Sequence, residues 1–482
     1  MTLKLKGKIL MNVIFLFDDQ HNADCMGFAG HPLVKTPNLD RLATAGVHFN
    51  NMYCCGAICG PSRTSFFTGT YLRTHGHYMN TGDLRRQMPN LVEILCENGY
   101  HTFQAGKNHL PPGIADHFDE MHTMATYARY LKSKGIKKDS FIETEKKNFM
   151  AKPSSLPEEE HDETWTADRS IEYIRSRTGQ SNPFFMWISF HRPHAPHTPP
   201  ANFDGLYNPD DIPIDWKEYE AFENSRMQNR PMIEDFWKVG AVRHDPSIFR
   251  KAVCRYLALI TLIDKNIGRI LDALKETGLD QETLIVFSTD HGDWAGKYGQ
   301  LGKNLPGYDP LLRIPFIWYD PKRPGDAGRC VNGLCSNVDF MPTVLDRLGI
   351  PIPPTVQGES LLPHLDGVPL PQREAIFAET PMEKTVRTRE WKLTYFVRHP
   401  HRGQLFRMGA TPDEITNYWD DPNFAHIKQY LLIRLMEWMV RSEQPHNSSR
   451  DWESYISTRW YNWINQQEHD CEIPDHPPKN EV

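Results

Sequence analysis

The sequence has no long apolar run: nothing in its 482 residues approaches the roughly 18 consecutive apolar residues that a membrane-spanning helix needs. It also has no excess of positive charge, since 54 lysines and arginines stand against 61 acidic residues. No general basic surface is therefore expected to attract nucleic acid or anionic lipid. We predict neither a nucleic-acid partner nor a membrane partner, and a polyanionic ligand would have to meet a local positive pocket.

The sequence also lacks a disulfide pattern. Its nine cysteines are an odd number spread along a long chain, which favours free or buried thiols.

The start of the chain, residues 1–17, resembles a signal peptide in having lysines before an apolar stretch, but it leads into Asp18 and Asp19 without a small-residue cleavage site. We therefore interpret it as a core strand. As written, the chain is predicted to stay in the cytoplasm; an export signal trimmed from it would place the protein in the periplasm or outside the cell.

Short apolar runs alternate with stretches of helical period over the first 350 residues or so. Strands are predicted at 12–17, 101–105, 184–190, 284–288 and 314–318, and helices at 38–45, 89–98, 254–274 and 338–348. This alternation predicts an α/β fold in which helices sandwich a large mixed, mainly parallel sheet. Residues 195–250 show little periodicity and are predicted to form long loops over the site.

A different pattern begins near the prolines at 351–354. Short strands predicted at 375–379, 391–397 and 404–408 precede a helix at 424–442, which predicts a smaller C-terminal α+β domain. We divide the chain into a catalytic domain, 1–370, and a C-terminal subdomain, 371–482. Aromatic residues from Trp452 to Trp463 could supply a platform for a sugar ring or pin the tail to the body.

Polar residues directly follow three of the predicted strands: Asp18 and Asp19, the segment 191–194, and Asp290 with His291. In a parallel sheet the ligand site lies beyond the carboxyl ends of the strands, so these residues should converge. Consecutive carboxylates repel each other unless a cation lies between them. The oxygen-rich set with one imidazole predicts a single divalent ion, with calcium favoured and magnesium or manganese as alternatives.

Cys59 begins the run Cys-Gly-Pro-Ser-Arg, which continues to Thr68-Gly69. Pro61 suits the first turn of a helix and would place Cys59 at a helix N-terminus, where the helix dipole favours an anion. The run resembles the signature of the sulfatase family, in the alkaline-phosphatase-like superfamily. A maturation enzyme oxidises the cysteine of that signature to formylglycine. The resemblance implies that position 59 is both the nucleophile and a ligand of the ion, beside Asp18, Asp19, Asp290 and His291.

Two further segments fit the same family. Gly106-Lys107-Asn108-His109 resembles its Gly-Lys-x-His segment, although the family usually has an aromatic residue in place of Asn108. The segment His191-Arg-Pro-His-Ala-Pro-His197 is most similar to that of the iduronate-2-sulfatase branch. These matches imply catalytic roles for Lys107, His109 and His194. By its place after Asp290, Lys303 matches the sulfate-binding lysine, with the rival Lys297 expected to be a surface charge.

The activity that the resemblance implies is hydrolysis of a sulfate monoester. Hydrated formylglycine attacks sulfur while the ion, Arg63, Lys107 and Lys303 neutralise the sulfuryl oxygens. His194 protonates the departing alcohol, and His109 takes the proton from the second hydroxyl, which expels sulfate. Substrate contacts are expected from Lys107, His194, Lys303 and His197, although His191 and His197 could equally be structural.

The resemblance of residues 191–197 to the iduronate-2-sulfatase branch suggests a sulfated saccharide as the substrate, such as a glycosaminoglycan-derived 2-O-sulfated uronate. Two alternatives stay open. One is a phosphonate or phosphate ester hydrolase of the same superfamily, because the anion pocket would also hold tetrahedral phosphorus. The other is an inactive protein that only binds sulfated glycans.

Overall fold

The structure is a computed structural model, and it describes residues 11–85, 87–136, 153–229, 245–303, 307–366, 373–397, 399, 401–409 and 414–442. Its strands are β1 (Asn12–Asp19), β2 (Val47–Phe49), β3 (Met52–Tyr53), β4 (His101–Gly106), β5 (Glu120–Thr123), β6 (Phe184–Pro193), β7 (Thr283–Thr289), β8 (Arg313–Ile314), β9 (Phe316–Tyr319), β10 (Arg329–Val331), β11 (Cys335–Ser336), β12 (Ala375–Glu379), β13 (Glu383–Thr388), β14 (Trp391–Phe396) and β15 (Gly403–Arg407). Its helices are α1 (Pro37–Ala45), α2 (Cys59–Thr68), α3 (Leu72–His75), α4 (Leu91–Glu97), α5 (Pro112–Ala115), α6 (Met124–Ser133), α7 (Asp162–Ser176), α8 (Trp216–Asn229), α9 (Pro246–Thr277), α10 (Asp309–Leu312), α11 (Phe340–Arg347), α12 (Leu362–Leu365) and α13 (Ala425–Arg441). Within these ranges no helix combines the length and the apolar character needed to cross a membrane.

Eight strands form the main sheet, in the order β10-β2-β9-β7-β1-β6-β4-β5. All neighbouring pairs run parallel except the two that β9 makes with β2 and β7. The predicted mixed, mainly parallel sheet is therefore confirmed. Because β1 lies between β6 and β7, the carboxyl ends of these three strands are neighbours.

Helices cover both faces of this sheet. Successive side chains of a strand point to opposite faces, and those of β1 accordingly divide between two cores. Phe15 and Phe17 pack against Phe66 of α2 on one face, with ring centroids 5.5 and 5.4 Å away. Ile14 and Leu16 belong to the core that β1 shares with α7 and α9 on the other face. The predicted sandwich is thus confirmed.

The C-terminal part is a four-stranded antiparallel sheet, β12-β13-β14-β15, on which α13 packs. The prediction of short strands followed by a helix is confirmed, but β13 was missed. The charged side chains of β13 obscure its apolar alternation in the sequence. In the fold two of them form ion pairs: Lys384 with Glu379, and Arg387, whose Nε atom lies 3.3 Å from Asp309 Oδ2. The predicted domain boundary and the aromatic cluster at 452–463 lie outside the described residues.

The prediction of loops over 195–250 is wrong in two places. Helix α8 forms within it, and Phe222 of this helix is buried against Trp294 with ring centroids 5.2 Å apart. Helix α9 begins at Pro246, eight residues before the predicted start at 254. Asp245 caps α9 by accepting hydrogen bonds from the backbone N–H groups of the next turn, and proline suits its first position. Residues 230–244 lie outside the described ranges.

Candidate active site

Three neighbouring strands end at one place, as predicted. Asp19 is the last residue of β1, Asp290 directly follows β7, and His194 directly follows β6. The carboxylates of Asp19 and Asp290 both accept hydrogen bonds from Arg63, at 2.7 and 2.9 Å. The Nε2 atom of His194 lies 4.0 Å from Asp19 Oδ1. Side chains far apart in the sequence thus share one buried site.

Cys59 is the first residue of α2, which places it at the helix N-terminus as Pro61 predicts. Its side chain is fully buried. The Sγ atom lies 2.9 Å from Lys303 Nζ, 3.4 Å from His291 Nε2 and 3.8 Å from Asp19 Oδ1. The resemblance to sulfatases implies that the oxygens of a hydrated formylglycine would take the place of this sulfur.

The surroundings of Cys59 favour an anion. Burial, and the negative charge of Asp19, would raise the pKa of the thiol. Lys107, Lys303 and a hydrogen bond with His109 outweigh both effects and hold the pKa of Cys59 well below its usual value. The same charges would stabilise an oxygen anion at this position.

Four residues could together hold a metal ion. The ligand atoms of Asp19, Cys59, Asp290 and His291 lie within 4.8 Å of one another, and all four residues are buried. His291 Nδ1 lies 3.0 Å from Gly292 O, so Nδ1 carries the hydrogen and Nε2 is left as the ligand atom. Burial and the charge of Asp19 raise the pKa of Asp290 to about 7. A divalent cation would relieve this repulsion, so the donor set fits an ion that prefers oxygen ligands.

Asp18 is not part of that group of four. Its Oδ2 atom lies 2.6 Å from His21 Nδ1, whereas Oδ1 is buried and has no hydrogen-bond partner among the described residues. Burial raises the pKa of Asp18. Neighbouring residues of a strand point to opposite faces, so two consecutive aspartates do not necessarily serve one ion. The prediction that Asp18 is a ligand now rests on Oδ1 alone.

Arg63 is fully buried and holds the two site carboxylates. Its Nη2 donates to Asp19 Oδ2 at 2.7 Å and its Nε donates to Asp290 Oδ2 at 2.9 Å. Its Nη1 donates to Ser189 Oγ at 2.8 Å. Since all three nitrogens bond to protein groups, these contacts favour a role in positioning the carboxylates over the predicted contact with the sulfuryl oxygens.

Two lysines flank the side chain of Cys59. Lys107 Nζ lies 2.6 Å from Asp19 Oδ2 and 3.9 Å from Cys59 Sγ. Lys303 Nζ lies 2.9 Å from the same sulfur and 3.2 Å from His194 Nε2. A tetrahedral anion bound beside residue 59 would therefore meet positive charge on two sides.

Gly106 brings the Lys107 segment to the site. Its φ is +91°, and a Cβ atom there would lie 2.0 Å from the backbone oxygen of Ser189, so only glycine fits. This close approach lets Lys107 N donate to that oxygen at 2.8 Å. His109, two residues further on, also has a positive φ of 58°, and it is one of the groups that lower the pKa of the Cys59 thiol.

His194 directs its Nε2 atom into the site. Its Nδ1 atom lies 2.6 Å from the backbone oxygen of Ala195 and must donate to it. The other ring nitrogen, Nε2, faces the ammonium group of Lys303. Burial, followed by the charges of Lys107 and Lys303, lowers the pKa of His194 to about 4. An anionic ester bound to these lysines would raise that pKa and help to protonate the ring.

The other two histidines of this segment contact the protein. His197 is fully buried, its ring centroid lies 5.4 Å from that of Tyr256, and burial lowers its pKa to about 3. His191 Nδ1 lies 3.4 Å from Asp162 Oδ2, and its ring stacks on His194. These contacts favour the structural alternative for both residues over the predicted substrate contact of His197.

Sequence reasoning missed three polar residues that support the site. Gln20 donates its backbone N–H to Asp290 Oδ1 at 3.0 Å, and His21 bonds to Asp18. Glu163 accepts hydrogen bonds from the backbone of the histidine segment. Gln20 and His21 directly follow Asp18 and Asp19 in the sequence, and this adjacency could have indicated that they belong to the site. Nothing local in the sequence links Glu163 to a segment that follows it by 28 residues.

Comparison with known proteins gives a consistent assignment. A family model described as Sulfatase matches residues 11–350, and one for the C-terminal part of N-sulphoglucosamine sulphohydrolase matches residues 296–441. The chain is 29% identical to an arylsulfatase of Clostridium perfringens, over 88% of this chain and 94% of that protein. It is 26% identical to an N-acetylglucosamine-6-O-sulfatase of Bacteroides thetaiotaomicron, over 88% and 85%, and 25% identical to the iduronate 2-sulfatase of Mus musculus, over 71% and 70%.

Solved structures agree on the architecture. The phosphonate monoester hydrolase of Agrobacterium radiobacter superposes with a TM-score of 0.77 at 25% identity, over 90% of this chain and 96% of that chain. This likeness confirms the predicted alkaline-phosphatase-like fold. With its Cys-x-Pro-Ser-Arg run at the centre of the site and a family match over most of its length, the chain belongs to the sulfatase family and is a sulfuric ester hydrolase.

Proposed function

We propose that this protein removes sulfate from a sulfated saccharide, using a formylglycine made from Cys59 as its nucleophile. The observation that carries the proposal is the position of Cys59 Sγ, which lies 2.9 Å from Lys303 Nζ and 3.4 Å from His291 Nε2. One atom thus borders both the anion pocket and the candidate metal ligands. Conversion of Cys59 requires a formylglycine-generating maturation enzyme as a partner.

The hydrated aldehyde at position 59 supplies the attacking oxygen. A divalent ion bound here, for which we propose calcium, would supply Lewis-acid chemistry by polarising the sulfuryl group. Asp19, Asp290 and His291 would hold that ion. Lys107 and Lys303 neutralise the sulfuryl oxygens from two sides, where little reorganisation is needed because both ammonium groups are already in place.

Two histidines move the protons. His194 donates from Nε2 to the oxygen of the departing alcohol, because its Nδ1 hydrogen is committed to the backbone oxygen of Ala195. His109, one of the groups that lower the pKa of the Cys59 thiol, accepts the proton that must leave in the second step. Dividing the reaction between two groups lets one donate while the other accepts.

We propose a glycosaminoglycan-derived 2-O-sulfated uronate as the substrate. Support comes from the segment His191 to His197, which resembles that of iduronate 2-sulfatases, and from the similarity to the mouse enzyme of that name. A second relative is named an N-acetylglucosamine-6-O-sulfatase. A 6-O-sulfate on glucosamine is therefore the main alternative to the uronate ester.

Release of sulfate from defined disaccharides tests this choice. Two disaccharides that differ only in carrying the ester at the uronate 2-position or the glucosamine 6-position should be compared with 4-nitrophenyl sulfate. We expect the uronate ester to be cleaved fastest. Release from the 6-position alone, or equal rates on the aryl ester, would contradict the substrate while leaving sulfate hydrolysis intact.

Phosphonate monoester hydrolysis is the second candidate, favoured by the likeness to the Agrobacterium radiobacter enzyme of that name. Its discriminating measurement is the ratio of kcat/KM for a 4-nitrophenyl sulfate to that for the 4-nitrophenyl ester of phenylphosphonate. Our proposal expects a ratio above one, and a ratio well below one would replace it with this candidate. Turnover of neither these esters nor the two sulfated disaccharides by the matured protein would favour a sulfated-glycan binder.

A further inference from the structure

We propose that Glu163 is a positioning residue for the proton donor His194 and acts by binding the backbone that leads to it. The inference rests on the proposed function, in which His194 protonates the leaving alcohol. Glu163 makes no contact with the nucleophile among the hydrogen bonds of the described residues, so its effect must pass through the segment 191–198, named here the histidine segment.

Glu163 binds the point where the histidine segment leaves the sheet. It is the second residue of α7 and is fully buried. Its Oε1 atom accepts hydrogen bonds from the backbone N–H groups of His191 and Arg192, at 3.1 and 2.8 Å. Burial, and the charge of Asp162, raise the pKa of Glu163 well above its usual value. The contact on which the inference rests is the pair of hydrogen bonds that Oε1 accepts.

The start of α7 also holds the rest of the histidine segment. Asp162 Oδ2 lies 3.5 Å from Arg192 Nη2, and Arg192 Nη1 donates to the backbone oxygens of His194 and Pro196, at 3.3 and 2.6 Å. His161, the residue before the helix, has its Nε2 atom 3.1 Å from the backbone oxygen of Thr198. Asp162 and Glu163 thus hold the beginning of the segment and His161 holds its end, while Arg192 ties the middle to the beginning.

This bracing matters because His194 must present Nε2 at one place. That atom lies 3.2 Å from Lys303 Nζ, next to the nucleophile, and the other ring nitrogen bonds to the adjoining backbone. A displacement of the donor by about 1 Å can cost about 100-fold in rate. The loss of rate should be large only for an ester whose leaving alcohol is weakly acidic and therefore needs a proton. Comparing a poor with a good leaving group therefore distinguishes a misplaced proton donor from general damage to the site.

The test compares Glu163→Ala and Glu163→Gln on two aryl esters, with His194→Ala as the reference. We expect Glu163→Ala to lower kcat/KM for phenyl sulfate, a poor leaving group, by about 100-fold, and that for 4-nitrophenyl sulfate by less than about 10-fold. Glu163→Gln keeps an oxygen for the two N–H groups and should stay within about threefold of the native protein on both esters. Glu172→Ala, on the exposed side of the same helix, should change neither rate.

Equal losses on the two esters, or a Gln variant as impaired as the Ala variant, would overturn the inference. Thermal unfolding shows whether Glu163→Ala folds. If it does not, Arg192→Met, which removes the hydrogen bonds to the backbone oxygens of His194 and Pro196, takes its place with the same expectation. If His194→Ala loses more activity on phenyl sulfate than on 4-nitrophenyl sulfate and these variants do not, this inference alone is overturned. Turnover by the matured native protein of neither aryl ester nor the uronate 2-O-sulfate disaccharide would overturn the proposed function as well.

Discussion

Replacing Lys303 by methionine removes the positive charge nearest to the nucleophile. Methionine keeps most of the apolar stem, so the change is chiefly electrostatic. The Nζ atom that is lost lies 2.9 Å from Cys59 Sγ, 3.2 Å from His194 Nε2 and 3.3 Å from His291 Nε2. We expect the sulfuryl group to bind in this space, within one ion-pair distance of the ammonium.

The size of the effect follows from that distance. Two unit charges about 4 Å apart attract by about 4 kcal/mol at an effective dielectric constant of about 20. Lys303 is only partly buried, and Lys107, whose Nζ atom lies 3.9 Å from the same sulfur, would share the charge of the bound anion. We therefore expect the transition state to lose about 3 kcal/mol, which lowers kcat/KM by about 100-fold.

Initial rates of 4-nitrophenyl sulfate cleavage measure this loss. Lys297→Met is the matched control, because Lys297 lies six residues away, is exposed and has its Nζ atom 5.3 Å from the ring centroid of Tyr298. It should leave kcat/KM unchanged. A Lys303→Met variant within about threefold of the native enzyme, or a Lys297→Met variant that loses as much, would refute the assignment of Lys303.

Elemental analysis should find one divalent ion per chain, and removing it with a chelator should abolish turnover; two tightly bound zinc ions would contradict the single site. Arg63→Met should lower the free energy of unfolding in denaturant by about 3–5 kcal/mol, because Asp19 and Asp290 would be left buried without their partner. Arg175→Met, at an exposed ion pair, should lower the free energy of unfolding by less than about 1 kcal/mol. Equal losses in the Arg63 and Arg175 variants would contradict the reasoning that burial decides the size of the effect. Gly106→Ala should lower both stability and activity, since its Cβ would lie 2.0 Å from a backbone oxygen; unchanged melting and kcat would contradict this.

The elements that could be predicted from sequence are those whose signal is local. Strand β1 is a continuous apolar run ending in two aspartates, and the start of α2 follows from Pro61. Their meeting at one edge of the sheet follows from the rule for parallel strands. Helix α8 was missed because its mostly polar sequence hides the few residues, such as Phe222, that pack inward.

The unpredicted parts of the site depend on contacts between distant segments. The motif marks Arg63, but only the fold shows that its guanidinium bonds to Asp19 and Asp290. His197 lies in a segment that resembles a substrate-binding one, yet its burial against Tyr256 favours the structural alternative. Residue type and spacing therefore predict which residues gather, whereas the partner of each polar atom is decided by packing.

Sulfate release by the native protein and by Cys59→Ala, each produced with a formylglycine-generating enzyme, tests the central claim most directly. The mass of the peptide that contains residue 59 should be measured on the same samples. We predict that the native peptide has the lower mass of an aldehyde in place of a thiol, and that this sample releases sulfate. Cys59→Ala should fold and release none, because the Ala side chain cannot supply the nucleophile. Sulfate release by Cys59→Ala, or by a native sample in which Cys59 is still a thiol, would contradict the account.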